Sequence, residues 1–283
     1  MAAMKWKPFA FGSPDYDYPG AALKKAWLEL HRGDCEPFPD AAFVRQALTA
    51  HSRLKPPLDA EKTALALQSA WRAYHRGDFG AAVGEGAALG PIGANVANKA
   101  ANIYATYLET DPARKRELLL QSAERAEALQ AAAPDFPNAL YFHAQALGRY
   151  SQEISIVKAL AQGLGGKVKA NLDKAIKLAP NHAEAHIALG AYHAEIVAKV
   201  GAMLAGLTYG ATKEEAVKHF ALARKLIPQS AIARIEEANG LVLLFGKAKL
   251  AEAEELYKEA AACPPADAMQ RLDAEHAREE GED

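Results

Sequence analysis

The chain of 283 residues is half apolar and about a quarter charged, with a formal net charge of −2, the composition of an ordinary globular protein. So near-neutral a balance excludes a global electrostatic drive toward nucleic acid or anionic membranes. Its two cysteines, Cys35 and Cys263, lie far apart in unrelated contexts, which excludes a disulfide framework or a CxxC pair and fits a reducing, cytoplasmic compartment.

The N-terminal stretch 1–20, MAAMKWKPFAFGSPDYDYPG, contains no apolar run of the kind that drives secretion. Trp6, Phe9, Phe11, Tyr16 and Tyr18 make it too aromatic for a floppy tail, and it reads as a strap over the first helices or, alternatively, a partner-docking arm. Residues 21–56 read as an N-terminal helical pair, and 57–270 as a helical repeat domain. The motif AWLELHRGD (Ala26–Asp34) returns as AWRAYHRGD (Ala70–Asp78), 44 residues later. Gly90-Pro91 and Thr110-Asp111-Pro112 each open a helix, the second with a capping carboxylate and proline at the first helical position. The basic triplet Arg114–Arg116 beside Glu117 reads as a solvated helix face.

In GPIGANVANKAANIYATYLE (Gly90–Glu109), Ile92, Val96, Ala100, Ile103 and Tyr107 form an apolar face, while Asn95, Asn98, Lys99, Asn102 and Thr106 share a second stripe. Asparagine is a mediocre helix former. Three in one stripe therefore point either to a ligand groove, where amides grip an extended peptide, or to a polar seam between helices. Asn239, in a later helix, extends the same row.

LGRYSQEI (Leu147–Ile154) returns as LGAYHAEI (Leu189–Ile196) after 42 residues, and the helix-ending prolines Pro134, Pro180 and Pro228 stand 46 and 48 apart. Repeats of this length are helical pairs that bury their apolar faces only by stacking on neighbours. The whole chain reads as all-α, with about ten to twelve helices. Each LG motif runs on into an apolar, glycine-dotted extension, ISIVKALAQGLGG and IVAKVGAMLAGLTYG. The extensions either thicken the core or wall a pocket for an apolar small molecule, with Met203 as an adaptable lining residue and Tyr192 and Tyr209 supplying polar tips. A membrane-dipping role is the weakest choice, because no interface anchor lies near them, and the run Ile196–Gly210 is too short for a span. Glu153 and Glu195 occupy equivalent points of two repeats, with Arg149 one turn before Glu153. Turned inward they form an acidic row for a basic peptide; turned outward, Arg149 and Glu153 are a surface pair.

Recognisable chemistry is sparse. His182, His186 and His193 share a stripe, but the order HxExH places Glu184 away from them, so packed, hydrogen-bonded histidines are the better reading than a metal site. GLGGK (Gly163–Lys167) lacks both the leading glycine and the Ser or Thr of a phosphate loop. No nucleophile elbow or activated cysteine occurs, and the expectation is a protein without enzymatic activity, cofactor or metal. The acidic end, 271–283, is expected to fray.

ANLDKAIKLAPNHAEAHIALGAYH (Ala170–His193), EEAVKHFALARKLIP (Glu214–Pro228) and EAEELYKEAAACPP (Glu252–Pro265) resemble tetratricopeptide (TPR) repeats, and Gly77–Phe79 resembles the inter-helix turn of that family. The resemblance implies a right-handed α-solenoid of TPR-like hairpins, here with lengthened helices, since a standard unit is 34 residues. Over Ala139–Pro265 the long units also resemble the TPR-like subunit of TRAP-type transporters and the regulator of microtubule dynamics family. In such folds the first helix of each repeat lines the concave face. That implies a protein or peptide partner, for which the stripes above offer Asn95, Asn98, Lys99, Asn102, Arg149, Glu153, Glu195 and Asn239, while Tyr192 and Met203 belong to the alternative, a carrier of an apolar small molecule.

Overall fold

A computed structural model describes residues 6–11 and 16–282. Among these residues every regular element is helical, and most of the longer helices pack against the next one along the chain. The chain forms two compact units, Met1–Leu30 with Glu36–Ile156, and His31–Cys35 with Val157–Asp283.

In the first unit, α1 (Ala22–Leu30) and α2 (Ala41–Ala50) precede three helices that start their repeats, α3 (Ala60–His75), α5 (Ala94–Tyr107) and α7 (Pro137–Gln152). The returning helices are α4 (Phe79–Ala88) and α6 (Pro112–Ala132). α3, α5 and α7 adjoin one another as one layer, with α4 and α6 packed on them as the second. The helix starts are set locally: Asp40, Asp59, Asp78 and Asp111 each accept a backbone N–H from the first turn of the helix they precede, satisfying donors that otherwise lack a partner. Pro112 occupies the first position of α6, and that helix ends just before Pro134. The core is aromatic, with Trp27 edge-on to Trp71 at 5.7 Å and Trp71, Tyr74, Phe79, Tyr104 and Phe142 fully buried.

Residues 6–11 lie along the ends of these hairpins. The Lys7 backbone N–H donates to the Tyr104 hydroxyl at 3.0 Å, Trp6 stands edge-on to Tyr104 at 4.5 Å, and Phe9 covers Gly77. Residues 1–5 and 12–15 of the expected strap lie outside the described residues.

The second unit begins with most of α8 (Ile156–Ala161) and continues through α9 (Leu164–Leu178), α10 (Ala183–Val200), α11 (Ala202–Leu204), α12 (Lys213–Leu226), α13 (Ala231–Phe245), α14 (Leu250–Ala261) and α15 (Ala268–Glu282). α10 pairs with α12, α13 with α14, and α10 and α13 adjoin. Phe220 of α12, 1% exposed, is the wedge between them. A Cβ on Gly190 of α10 would stand 2.8 Å from its ring, and one on Gly240 of α13 only 2.3 Å. Both glycines are needed for the ring to seat.

Two expectations need correction. The LGRYSQEI helix does not run on into its extension: α7 stops at Gln152, where Ser151 Oγ donates back to the Gly148 carbonyl and the Glu153 N–H donates to Tyr150, and α8 is a separate short helix. α10 does run on, to Val200, and Gly201 at φ +82° then breaks it, so α11 and the wide turn Ala205–Tyr209 follow in a new direction. The expected frayed end 271–283 is helical to Glu282. Leu272, Asp273, Ala274 and Ala277 are buried because α15 closes the apolar face of the last hairpin; Asp283 lies outside the described residues.

Candidate functional site

The polar stripe of α5 lies inside the first unit. Asn98, Asn102 and Lys99 are fully buried and Asn95 nearly so, and one end of each asparagine amide bonds to a neighbouring element while Asn95 Oδ1, Asn98 Nδ2 and Asn102 Oδ1 are buried without a partner. Asn95 Nδ2 donates to both carboxylate oxygens of Glu36, at 3.2 and 3.0 Å. Asn98 Oδ1 accepts from Arg125 Nε of α6 at 2.9 Å. Asn102 Nδ2 donates to Gln145 Oε1 of α7 at 2.9 Å. The Lys99 ammonium stands 5.8 Å from the centre of the Tyr74 ring. Desolvation pulls the Arg125 guanidinium down to about 10, so its bond to Asn98 is held in a poorly hydrated setting where a lost partner is costly.

Asn138 was missed in the sequence, yet it is the second residue of α7 as Asn95 is the second of α5. Its Nδ2 also donates to Glu36, at 2.5 Å. Glu36 begins the extended run EPFPD between α1 and α2. Its own carbonyl accepts from the Trp27 indole at 2.8 Å, and the Pro39 carbonyl accepts from Gln68 of α3 at 3.0 Å. A short acidic, proline-containing segment without regular structure thus meets α3, α5 and α7, held by side-chain amides. Two of these amides sit at helix N-termini, where a carboxylate is favoured. The signal that could have revealed Asn138 is the repeat register itself.

The remaining first-unit candidates are peripheral. Arg149 donates to Gln152 at 3.4 Å, and Glu153 pairs with Lys115 at 3.3 Å.

In the second unit, Glu195 pairs with Lys199 one turn on, at 2.7 Å. The Tyr192 hydroxyl donates to the Tyr209 carbonyl at 3.3 Å, and burial pushes its pKa up to about 12. Asn239 is exposed and accepts from Tyr257 of α14 at 2.6 Å. Met203 is 80% exposed, so it lines no enclosed cavity.

The histidines are packed and bonded. His182 Nδ1 caps α10 by accepting the Ala185 N–H at 3.1 Å. His186 Nε2 donates to the Pro180 carbonyl, which leaves its Nδ1 to accept from His219 Nδ1 at 2.8 Å. His193 Nδ1 accepts the Thr212 N–H, and its ring stacks on His219. Desolvation, aided by His186 and His193, holds His219 down to about 4. No group of His, Cys, Asp and Glu with metal-binding geometry occurs among the described residues.

No curated protein matches the chain. Among solved structures, a thermophilic TPR protein of Thermus thermophilus is similar, at 16% identity and a TM-score of 0.54, over 75% of this chain and 97% of that one. At that identity the likeness establishes the fold, a TPR-like helical repeat. The family model described as regulator of microtubule dynamics protein 1-3 matches residues 93–280, about two thirds of the sequence. The chain belongs to that family.

Proposed function

We propose that the protein is a non-enzymatic, cytoplasmic interaction scaffold whose first unit receives an extended acidic segment of a protein partner across α3, α5 and α7. The observation that carries this reading is the grip on Glu36, whose carboxylate accepts from Asn95 and Asn138 at matching positions of successive repeats. Amides spaced by a helical repeat offer donors at regular intervals, which suits a carboxylate-bearing extended chain better than a helix or a compact surface. The resident EPFPD run occupies the place by tethering, at high effective concentration. A partner segment of like chemistry competes with it for the same donors. The TPR-like fold supports the scaffold class, and two free thiols support a reducing compartment.

The test is fluorescence anisotropy with a labelled peptide, GDSEPFPD, against the full chain. Glu36→Ala should bind it at least about tenfold more tightly than the wild type. Adding Asn138→Ala to that variant should abolish the gain. A Glu36→Ala protein that is folded by circular dichroism yet takes up no peptide would refute the groove assignment.

A further inference from the structure

The lengthened repeats leave a feature that the groove does not use. In the second unit, Val157, Met203 and Leu207 are 73, 80 and 82% exposed, and Leu160, Leu204 and Leu243 are about half exposed. Single exposed apolar residues are ordinary, but a cluster this size on one margin calls for an occupant.

These residues come from three stretches, 157–169, 196–213 and 241–251, each at the turn between the two helices of a repeat. The stretches adjoin in space. A Cβ on Gly165 would touch Tyr209 and Ile196 at 3.7 and 3.8 Å, and one on Gly210 would touch Lys169 at 3.7 Å. Lys213 Nζ donates to the Leu244 carbonyl at 2.8 Å and lies 5.0 Å from the centre of the Phe245 ring.

The charge on this margin is one-sided. The first stretch holds three lysines and the other two hold two each, with no Asp or Glu in any of them, in a chain whose formal net charge is −2. Carboxylates flank the stretches: Asp173, Glu195 and Glu252 are each paired with a lysine of the margin, Glu153 is paired with Lys115, and Glu214, exposed, follows Lys213 directly. Lys167 and Lys247 are exposed at its two ends.

We propose that this margin docks the protein peripherally on an anionic lipid bilayer. Exposed aliphatic side chains enter the boundary between headgroups and acyl chains, while the lysines meet the phosphate and carboxylate groups above it. Charge complementarity selects this occupant: a bilayer surface with anionic lipid supplies apolar depth and negative charge in the same plane, whereas a second copy of the margin would bring like charges together. No described helix is long and apolar enough to cross a membrane. The contact is therefore interfacial, and it releases as salt screens the lysines.

Co-sedimentation of the full chain with vesicles tests this, using phosphatidylcholine alone or with about 30 mol% phosphatidylserine. The wild type should pellet with the anionic vesicles at least about tenfold more strongly than with neutral ones, and less so as salt rises from about 0.05 to 0.5 M. Met203→Asp/Leu207→Asp and Lys167→Glu/Lys247→Glu change only exposed side chains and should each lower anionic binding at least about tenfold with an unchanged circular dichroism melt. The proposal is overturned if the wild type stays in the supernatant with both vesicles, or if either variant pellets as the wild type does. It is equally overturned if the margin proves to be a self-association face, seen as a concentration-dependent mass that Met203→Asp/Leu207→Asp abolishes while vesicles capture nothing.

Discussion

Replacing Gly240 by alanine tests how the second unit is held together. On helix propensity alone the change stabilises, by about 0.5–1 kcal/mol in a helix interior. The added Cβ, however, would stand 2.3 Å from Cε2 and 2.7 Å from Cζ of Phe220, where carbon atoms rest at about 3.5–4 Å. The ring must shift by roughly 1 Å to restore that spacing. It has no open side to move into, because Phe220 is 1% exposed and its other edge lies against Gly190. Overpacking of this kind costs about 1–3 kcal/mol, so the net effect is a loss of about 1–2 kcal/mol. Urea unfolding followed by circular dichroism should show a lower midpoint at an unchanged slope. Gly166→Ala is the control: nothing stands within 4 Å of its Cβ position, and the midpoint should hold or rise. In the double variant Phe220→Leu/Gly240→Ala the two losses should not add, since the smaller side chain relieves the clash. A Gly240→Ala protein as stable as the Gly166→Ala control would refute the wedge.

Asn98→Ala strips the buried Arg125 guanidinium of its acceptor and should cost about 1.5–3 kcal/mol in urea, whereas Arg125→Met in that background should recover part of it. The outcome expected of a residue in an open groove, weakened partner capture with stability untouched, would refute the seam. His219 is held below its ordinary value, to about 4, so the unfolded chain binds the proton more readily. Stability should be complete above about pH 6.5 and fall as pH drops toward 4, by on the order of 1–2 kcal/mol at pH 5. His219→Gln should flatten that dependence, and equal slopes for the two proteins between pH 7 and 5 would count against it. His182→Ala removes the cap of α10 and should cost about 1 kcal/mol, largely restored in His182→Asn, as read from the urea midpoint.

Much of the fold was legible because its determinants act over a few residues. An aspartate or serine accepts an N–H three residues on, as Asp59 and Ser230 do, and a proline ends the helix before it, as after Leu178 and Leu226. Repeat spacing and small residues at fixed register then imply hairpins that stack, and the seat of Phe220 between Gly190 and Gly240 is that register made physical. The frayed end was misjudged because charge density in 271–283 is a local property, while the burial of Leu272 depends on α13 and α14.

The direction of each polar or apolar stripe was decided only in three dimensions. The asparagines of α5 could be read as groove or seam, because their partners lie far along the chain: Glu36 is 59 residues from Asn95, Arg125 is 27 from Asn98, and Gln145 is 43 from Asn102. The same holds for the extensions. Alone, Ile196–Gly210 has a single lysine and no aromatic anchor beyond Tyr209, so an interfacial role looked weakest. Stacking the repeats brings this run beside Gly165 and Lys169 of one neighbouring stretch and, through Lys213, the Leu244 carbonyl of another. Sequence determined that helices form and pair, since hydrogen bonds, caps and periodicity are local. Tertiary structure decided which faces are spent on one another and which remain for a partner, since burial is a property of neighbours.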